Sequence, residues 1–332
     1  MTDLTPKSVL VTGANGYIGN ATARAFVRAG WTTYGLVRQE SLLPSLKAEE
    51  IIPILGSPAD QTFIASLDLS VVFDVIVSTT EEIMNYVPHY NEVVSLLDVL
   101  AKRNQSHGKK KPLVLFTSGC KDYGMMDEMS DSPGLQPHIE ESPIAPPPFA
   151  LNRATHAIKI FEHACLFDAV LLRPTNVYGL ASSYYGDFLR LAKEGKERGV
   201  LEFSENPKTI LHALHVDDCG EAYVALAEFP HREKLNGQCF NISSYRFETL
   251  EEIAQALVRE YNIQNGVKWL PVPQGRADVD FARRLIGFSQ WTGSDKLREL
   301  TGWKDRRVLF SKGLKQYRLA YEAAITRPES RR

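Results

Sequence analysis

Residues Val9–Gly19 read VLVTGANGYIG, with glycines at 13, 16 and 19 between an apolar run and a helix-forming stretch. That spacing suits a backbone that passes close to a pyrophosphate. Gly13 takes the tight turn, Gly16 presents no side chain to the phosphates, and Gly19 lets helix and strand pack closely. The helix that opens here directs its free N–H groups at the anion. An isolated glycine triad is also compatible with an ordinary turn. Here it directly follows a strand-like run and precedes the helix-forming Ala21–Ala29, the context a dinucleotide site requires. The expected ligand is a nicotinamide dinucleotide. His212 and His215 are three apart, but no third ligand follows at a suitable spacing, so no metal site is expected. The cysteines 120, 165, 219 and 239 lack ligand-like spacing, and neither a zinc site nor a disulfide framework is indicated.

Positioning such a ligand requires alternating strands and helices. Short Val/Ile/Leu-rich runs predict strands at Ser8–Thr12, Thr32–Val37, Ile51–Leu55, Phe73–Ser78, Leu113–Thr117 and Ala169–Arg173. Helices are expected at Tyr17–Ala29, Gln61–Leu67, Val87–Arg103, Phe149–Phe167 and Asp187–Gly195. Alternation of this kind predicts a parallel, doubly wound α/β sheet with right-handed crossovers. From about Gly179 the alternation stops. Two later segments return to the sheet domain: a helix Cys219–Ala227, capped by Asp217 or Asp218, and a strand within Gly237–Ser243. Helices at Thr249–Glu260, Ser294–Leu300 and Leu309–Ala324 form a smaller lobe. The expected division is a dinucleotide-binding domain of residues 1–178 plus 212–245, and a substrate lobe of 179–211 plus 246–332.

The 332 residues are 44% hydrophobic, enough for a large core, and carry a net charge of −2, which suggests no nucleic-acid partner. Lys109–Lys111 reads as a solvated loop. No apolar run approaches a membrane span, and the first strand begins too early for a signal peptide, so a cytoplasmic protein is expected.

Together these segments resemble the extended short-chain dehydrogenase/reductase superfamily, in its epimerase/dehydratase branch. The resemblance rests on VTGANGYIG at 11–19 with its preceding strand, FDVIVSTT at 73–80, VLFTSGCKDYG at 114–124 and LLRPTNVYG at 171–179. HVDDCGEAYVAL at 215–226, GQCFNIS at 237–243 and SDKLRELTGW at 294–303 extend it. It implies a Rossmann-type domain with an interleaved C-terminal substrate lobe. Gly13, Asn15, Gly16, Tyr17, Ile18 and Gly19 would hold the pyrophosphate, and Ser78 and Thr79 would border the nicotinamide ribose. Pro174, Thr175, Asn176 and Val177 would pass the nicotinamide ring. The place where NAD-binding members carry an acid is Val37, followed by Arg38; a guanidinium there pairs with a 2′-phosphate and favours NADP over NAD. Substrate would meet Thr80, Phe149, Tyr178 and the loop residues Ser183, Tyr184 and Tyr185. A homodimer is implied by analogy.

The chain departs from that family at the chemistry. The usual Tyr-x-x-x-Lys falls on Phe149 and Arg153, and the usual hydroxyl position on Gly119, with Ser118 one residue before. Phe149 has no proton to give, and Arg153 can bond ribose hydroxyls but cannot relay a proton. SGCKDYG is similar to the T-G-x-K-H-Y-x-G stretch of the steroid-ene reductase and iridoid synthase group, which makes Lys121 the first candidate donor and Tyr123 the second. The reading is an NADP-dependent oxidoreductase acting on a carbonyl or activated C=C of a small molecule. A non-redox isomerase, cyclase or epimerase, and a dinucleotide sensor without turnover, are the alternatives.

Overall fold

The computed structural model describes residues 7–180, 184–271 and 285–326. Strands β1 (Ser8–Thr12), β2 (Thr32–Val37), β3 (Ile52–Leu55), β4 (Val75–Ser78), β5 (Leu113–Thr117) and β6 (Asp168–Pro174) come first. They are followed by β7 (Asn176–Tyr178), β8 (Leu201–Phe203), β9 (Ile210–Leu211), β10 (Ala213–His215), β11 (Gln238–Ile242), β12 (Glu248–Thr249) and β13 (Val267–Trp269). The helices are α1 (Tyr17–Arg28), α2 (Leu43–Ala48), α3 (Phe63–Ser66), α4 (Tyr86–Ser106), α5 (Leu151–Ala157), α6 (Gly186–Arg198), α7 (Val216–Glu228), α8 (Leu250–Tyr261), α9 (Asp295–Thr301) and α10 (Leu314–Ile325).

Seven strands form one parallel sheet in the order β11-β6-β5-β4-β1-β2-β3. Alternation along each strand builds two cores. Val9, Val11, Val75, Val77, Leu113 and Leu115 face one side with Phe26 of α1 and Tyr223 of α7. Leu10, Ile76, Val114 and Phe116 face the other, with Val93, Leu97 and Leu100 of α4. Strands buried on both faces read as continuous apolar runs, which is why the sequence located them well. The order reverses between β1 and β4, where Thr12 pairs with Ser78; a crevice opens there, beyond the strands' carboxyl ends.

A third core lies in the C-terminal lobe, with Tyr178, Phe188, Leu201, Phe310 and Tyr317 among its members. Ile253 and Leu257 lie one turn apart on α8 and both enter this core. β7 pairs with β10 in a separate parallel ribbon that joins this lobe to the sheet domain. No helix among the described residues is long and apolar enough to cross a membrane.

Two expectations change. The stretch expected as one helix from Phe149 to Phe167 is regular only over α5, with 3₁₀ turns at Pro148–Ala150 and Ile158–His163. Thr155 Oγ1 and His156 Nδ1 bond back to the carbonyls of Leu151 and Asn152, which competes with a regular helical ladder. The cap of α7 is His215, whose Nδ1 accepts from the Asp217 N–H at 3.1 Å. Asp217 and Asp218 sit inside the helix: Asp217 pairs with Arg24 and Arg307, and Asp218 accepts from the Arg306 and Arg307 N–H groups.

α1 and α7 cross where Gly220 meets the α1 backbone. A Cβ on Gly220 would lie 2.7 Å from the Ala21 carbonyl oxygen and 3.0 Å from the Thr22 nitrogen. Gly220→Ala must separate the helices and should cost about 1–3 kcal/mol, read as a lower urea midpoint at unchanged m-value.

Candidate active site

The glycine loop has the geometry of a phosphate cradle. Gly13 has φ +66°, and a Cβ on Gly19 would stand 2.2 Å from the Gly13 carbonyl oxygen. α1 begins at Tyr17 with Gly16 as its N-cap and no side chain capping it, so its first N–H groups remain available to an anion. Thr79 donates to the Thr12 carbonyl and ties the end of β4 to the loop. The crevice is lined by Gly13, Asn15, Gly16, Arg38, Thr79 and Thr80, and farther out by Ser57, Glu82 and His89. The buried Thr80 hydroxyl has no hydrogen-bond partner. These residues fit a dinucleotide.

Tyr17 donates to the Gly179 carbonyl, linking the glycine loop to the turn after β7. Ile18 is half-buried and packs on the sheet core. Ser78 is buried, and Thr175 bonds the Ile242 carbonyl through its backbone N–H at 2.9 Å. Pro174 ends β6, while Asn176 and Val177 pair with Ala213 and Leu214. Arg38 is 75% exposed and faces Glu82 at 3.5 Å, so the cation at the end of β2 already has a carboxylate beside it.

The arrangement around Asp122 was not anticipated from sequence. Asp122 is 1% exposed and accepts from Ser118 Oγ, from Arg153 Nε at 3.0 Å, and lies 3.5 Å from Arg173 Nε. Arg153 reaches on to Glu81 at 3.1 Å. Burial disfavours the Arg153 cation, but Asp122 and Glu81 outweigh it and hold the pKa above its ordinary value. The guanidinium also fills the space in front of residue 119: a Cβ on Gly119 would lie 3.2–3.3 Å from its terminal atoms. Ser118, one of the expected catalytic groups, is thus a donor within this ion-pair network.

Tyr123, the second candidate donor, is also committed to the protein. Its hydroxyl donates to Asn241 Oδ1 at 2.8 Å and accepts from Arg173 at 3.0 Å, while its ring stacks on His138 at 5.3 Å. Burial pushes its pKa up.

Lys121 stands apart. It is 9% exposed, its ammonium makes no hydrogen bond or ion pair among the described residues, and that ammonium lies 4.0 Å from the Phe288 ring centre. Burial, with repulsion from Arg153 and against the influence of Cys120, lowers its pKa to about 8. Phe288 belongs to the C-terminal segment that covers this turn, where Gln290 donates to the carbonyls of Cys120 and Gly124.

Of the expected substrate residues, Phe149 is half-buried and Tyr184 exposed. Tyr184 lies within electrostatic reach of Glu81 and Arg153; burial raises its pKa, Glu81 adds to that and Arg153 opposes it. Tyr178 and Tyr185 are buried in the aromatic core of the C-terminal lobe, with Tyr178 bonded to the Val308 carbonyl at 2.9 Å. Neither lines the crevice at the glycine loop. Ser183 lies outside the described residues. Sequence reasoning also missed Tyr86, a buried phenol on the first turn of α4 within reach of Glu81, Arg153 and Asp122. Its period along α4 looks like any core position, so no sequence signal marked it. Glu81 and Glu82 did carry a signal, as adjacent acids directly after a strand end at the crevice.

His212 is buried, with Nδ1 accepting from Thr292 N–H and Nε2 facing the Ser244 carbonyl. No group of three or more metal-ligating side chains gathers among the described residues.

The sheet order, glycine cradle and crevice define a Rossmann-type dinucleotide-binding protein of the extended kind. The chain belongs to the NAD dependent epimerase/dehydratase family, whose model matches residues 9–243. It is similar to UDP-glucose 4-epimerase 4 of Oryza sativa subsp. japonica, 24% identical over 292 residues, 76% of each chain. Its fold is similar to a UDP-glucose-4-epimerase of Stenotrophomonas maltophila with bound NAD and formylated UDP-arabinopyranose: TM-score 0.73, 16% identity, covering 96% of this chain and 99% of that one. It is also similar to dTDP-glucose 4,6-dehydratase of Bacillus anthracis in complex with NAD: TM-score 0.71, 17% identity, covering 96% and 97%.

Two outcomes follow from the packing and charge. Gly119→Ser should destabilise the protein by about 1–3 kcal/mol, and by clearly less in an Arg153→Lys background, because the shorter cation vacates the space. Denaturation of the four proteins measures that coupling; additive effects would contradict it. Lys121 has a folded pKa of about 8 against 10.5 for an ordinary lysine, so the unfolded chain binds more protons between those values and stability rises with pH across that window. Lys121→Met should therefore raise stability at pH 7 by about 3 kcal/mol or less, with the gap closing toward pH 10.

Proposed function

We propose that the protein is an NADP-dependent oxidoreductase that reduces a carbonyl or activated C=C of a small organic molecule, with Lys121 as the proton donor. The observation that carries this reading is Lys121 itself: a buried ammonium without a carboxylate partner among the described residues, on the turn that follows β5. When bound, the reduced nicotinamide supplies a hydride. The chain must then hold the substrate oxygen and deliver a proton to it. Phe149 cannot do so, Arg153 does not give up its proton, and the Tyr123 hydroxyl is spent on Asn241. A lysine with a pKa of about 8 is mostly protonated at neutral pH and loses its proton readily, which suits a general acid. Phe288 and the covering segment reduce the exposure of the ammonium to water.

Support for NADP comes from Arg38 at the end of β2, although the solved relatives named above hold NAD. A 2′-phosphate would compete with Glu82 for that guanidinium. The altered Phe149, Gly119 and Arg153 favour a second reading, a non-redox isomerase, cyclase or epimerase on the same frame.

Competition binding distinguishes the cofactors. NADPH should bind more tightly than NADH; Arg38→Ala should weaken NADPH by about ten- to a hundredfold, and Glu82→Gln should strengthen it. Tighter NADH binding would sink the NADP assignment. Lys121→Ala should lower turnover by about a hundred- to ten-thousand-fold with NADPH affinity nearly intact. Altered product with no net consumption of NADPH would select the non-redox reading.

A further inference from the structure

Lys121 is the only buried lysine among the described residues. A buried ammonium is ordinarily paired with a carboxylate, since an unpaired charge in a poorly hydrated place is costly. The nearby carboxylate, Asp122, is turned away and satisfied by Ser118, Arg153 and Arg173. On its other side Lys121 meets the face of Phe288. The nearest charge that acts on it unfavourably is the Arg153 guanidinium, held in place by Asp122 and Glu81. Desolvation together with a fixed neighbouring cation is the environment that turns a lysine from a surface charge into an amine nucleophile.

We propose that Lys121 forms a reversible imine with a small aldehyde or ketone at the turn after β5. The neutral amine nitrogen attacks the carbonyl carbon. The carbinolamine then expels the former carbonyl oxygen as water, leaving a carbon–nitrogen double bond to Nζ; water reverses the step. No electrons change hands and no dinucleotide is needed. The inference deepens the carbonyl-substrate reading given above, because it names an oxo compound as the ligand of the same residue. It also supplies a chemistry for the non-redox reading, since an imine acidifies the neighbouring C–H.

The test is reductive trapping of the full-length protein, free of dinucleotide, with propanal and sodium cyanoborohydride, followed by peptide mapping. Cyanoborohydride delivers hydride to the imine carbon and fixes a propyl group on the lysine. At pH 7 a group of pKa about 8 is neutral about one time in ten, and an ordinary lysine about one time in three thousand. Part of that advantage is offset by lower intrinsic nucleophilicity, so labelling at Lys121 should exceed that at any exposed lysine by at least about tenfold. Its rate should rise with pH to a midpoint near 8. Phe288→Ala admits water and should move the midpoint upward and erase the preference. Lys121→Met and Lys121→Arg should show only the slow labelling of exposed lysines, with thermal melting recorded to establish that each is folded. Labelling of Lys121 no faster than that of exposed lysines, or a midpoint at the ordinary lysine value, overturns the proposal. The trap contains no NADPH, so a failure of NADPH turnover removes the reductase reading without touching the imine, and a failure of trapping leaves the reductase reading to its own test.

Discussion

The carboxylate of Asp122 has almost no contact with solvent, and the chain around it is arranged to keep that charge compensated. Ser118 and Asp122 hold the turn after β5, Arg153 brings in α5, and Arg173 brings in β6. Through Arg153 the network continues to Glu81 at the end of β4, and through Arg173 to Tyr123 and Asn241 on β11. Removing one member of a buried set like this strands the others and costs about 3–5 kcal/mol, far more than an exposed pair such as Arg38–Glu82 contributes. The carboxyl ends of four neighbouring strands are therefore coupled through a single side chain.

That coupling also ties position 119 to position 153. Arg153 extends to Asp122 and Glu81, and its guanidinium fills the space in front of residue 119. A hydroxyl-bearing side chain does not fit there without movement, so Gly119 follows from Arg153.

The cofactor frame was legible in the sequence because its determinants are local. The glycine spacing, the apolar strands and the helix after them all lie within Val9–Arg28, and burial of both sheet faces makes the strands read as unbroken apolar runs. The network was not legible. Asp122 meets Arg153 across 31 residues and Tyr123 meets Asn241 across 118, and nothing in the sequence said which way those side chains turn. The same limit explains Tyr178 and Tyr185, which read as substrate-facing aromatics and pack instead against Phe310. The His215 cap escaped because an imidazole acceptor is rarer there than the carboxylates two and three residues on.

Lys121 and Arg153 show how the same burial gives opposite results. Both cations are largely removed from water and each lies within the other's field. Arg153 has two carboxylates against it and a guanidinium that stays charged throughout the accessible pH range, so its charge is fixed. Lys121 has an aromatic face and no carboxylate partner among the described residues, and relieves its desolvation by releasing a proton more easily. Were position 153 lysine, two labile ammonium groups would share that field and either could deprotonate. With arginine there, Lys121 is the one of the two cations that can release a proton.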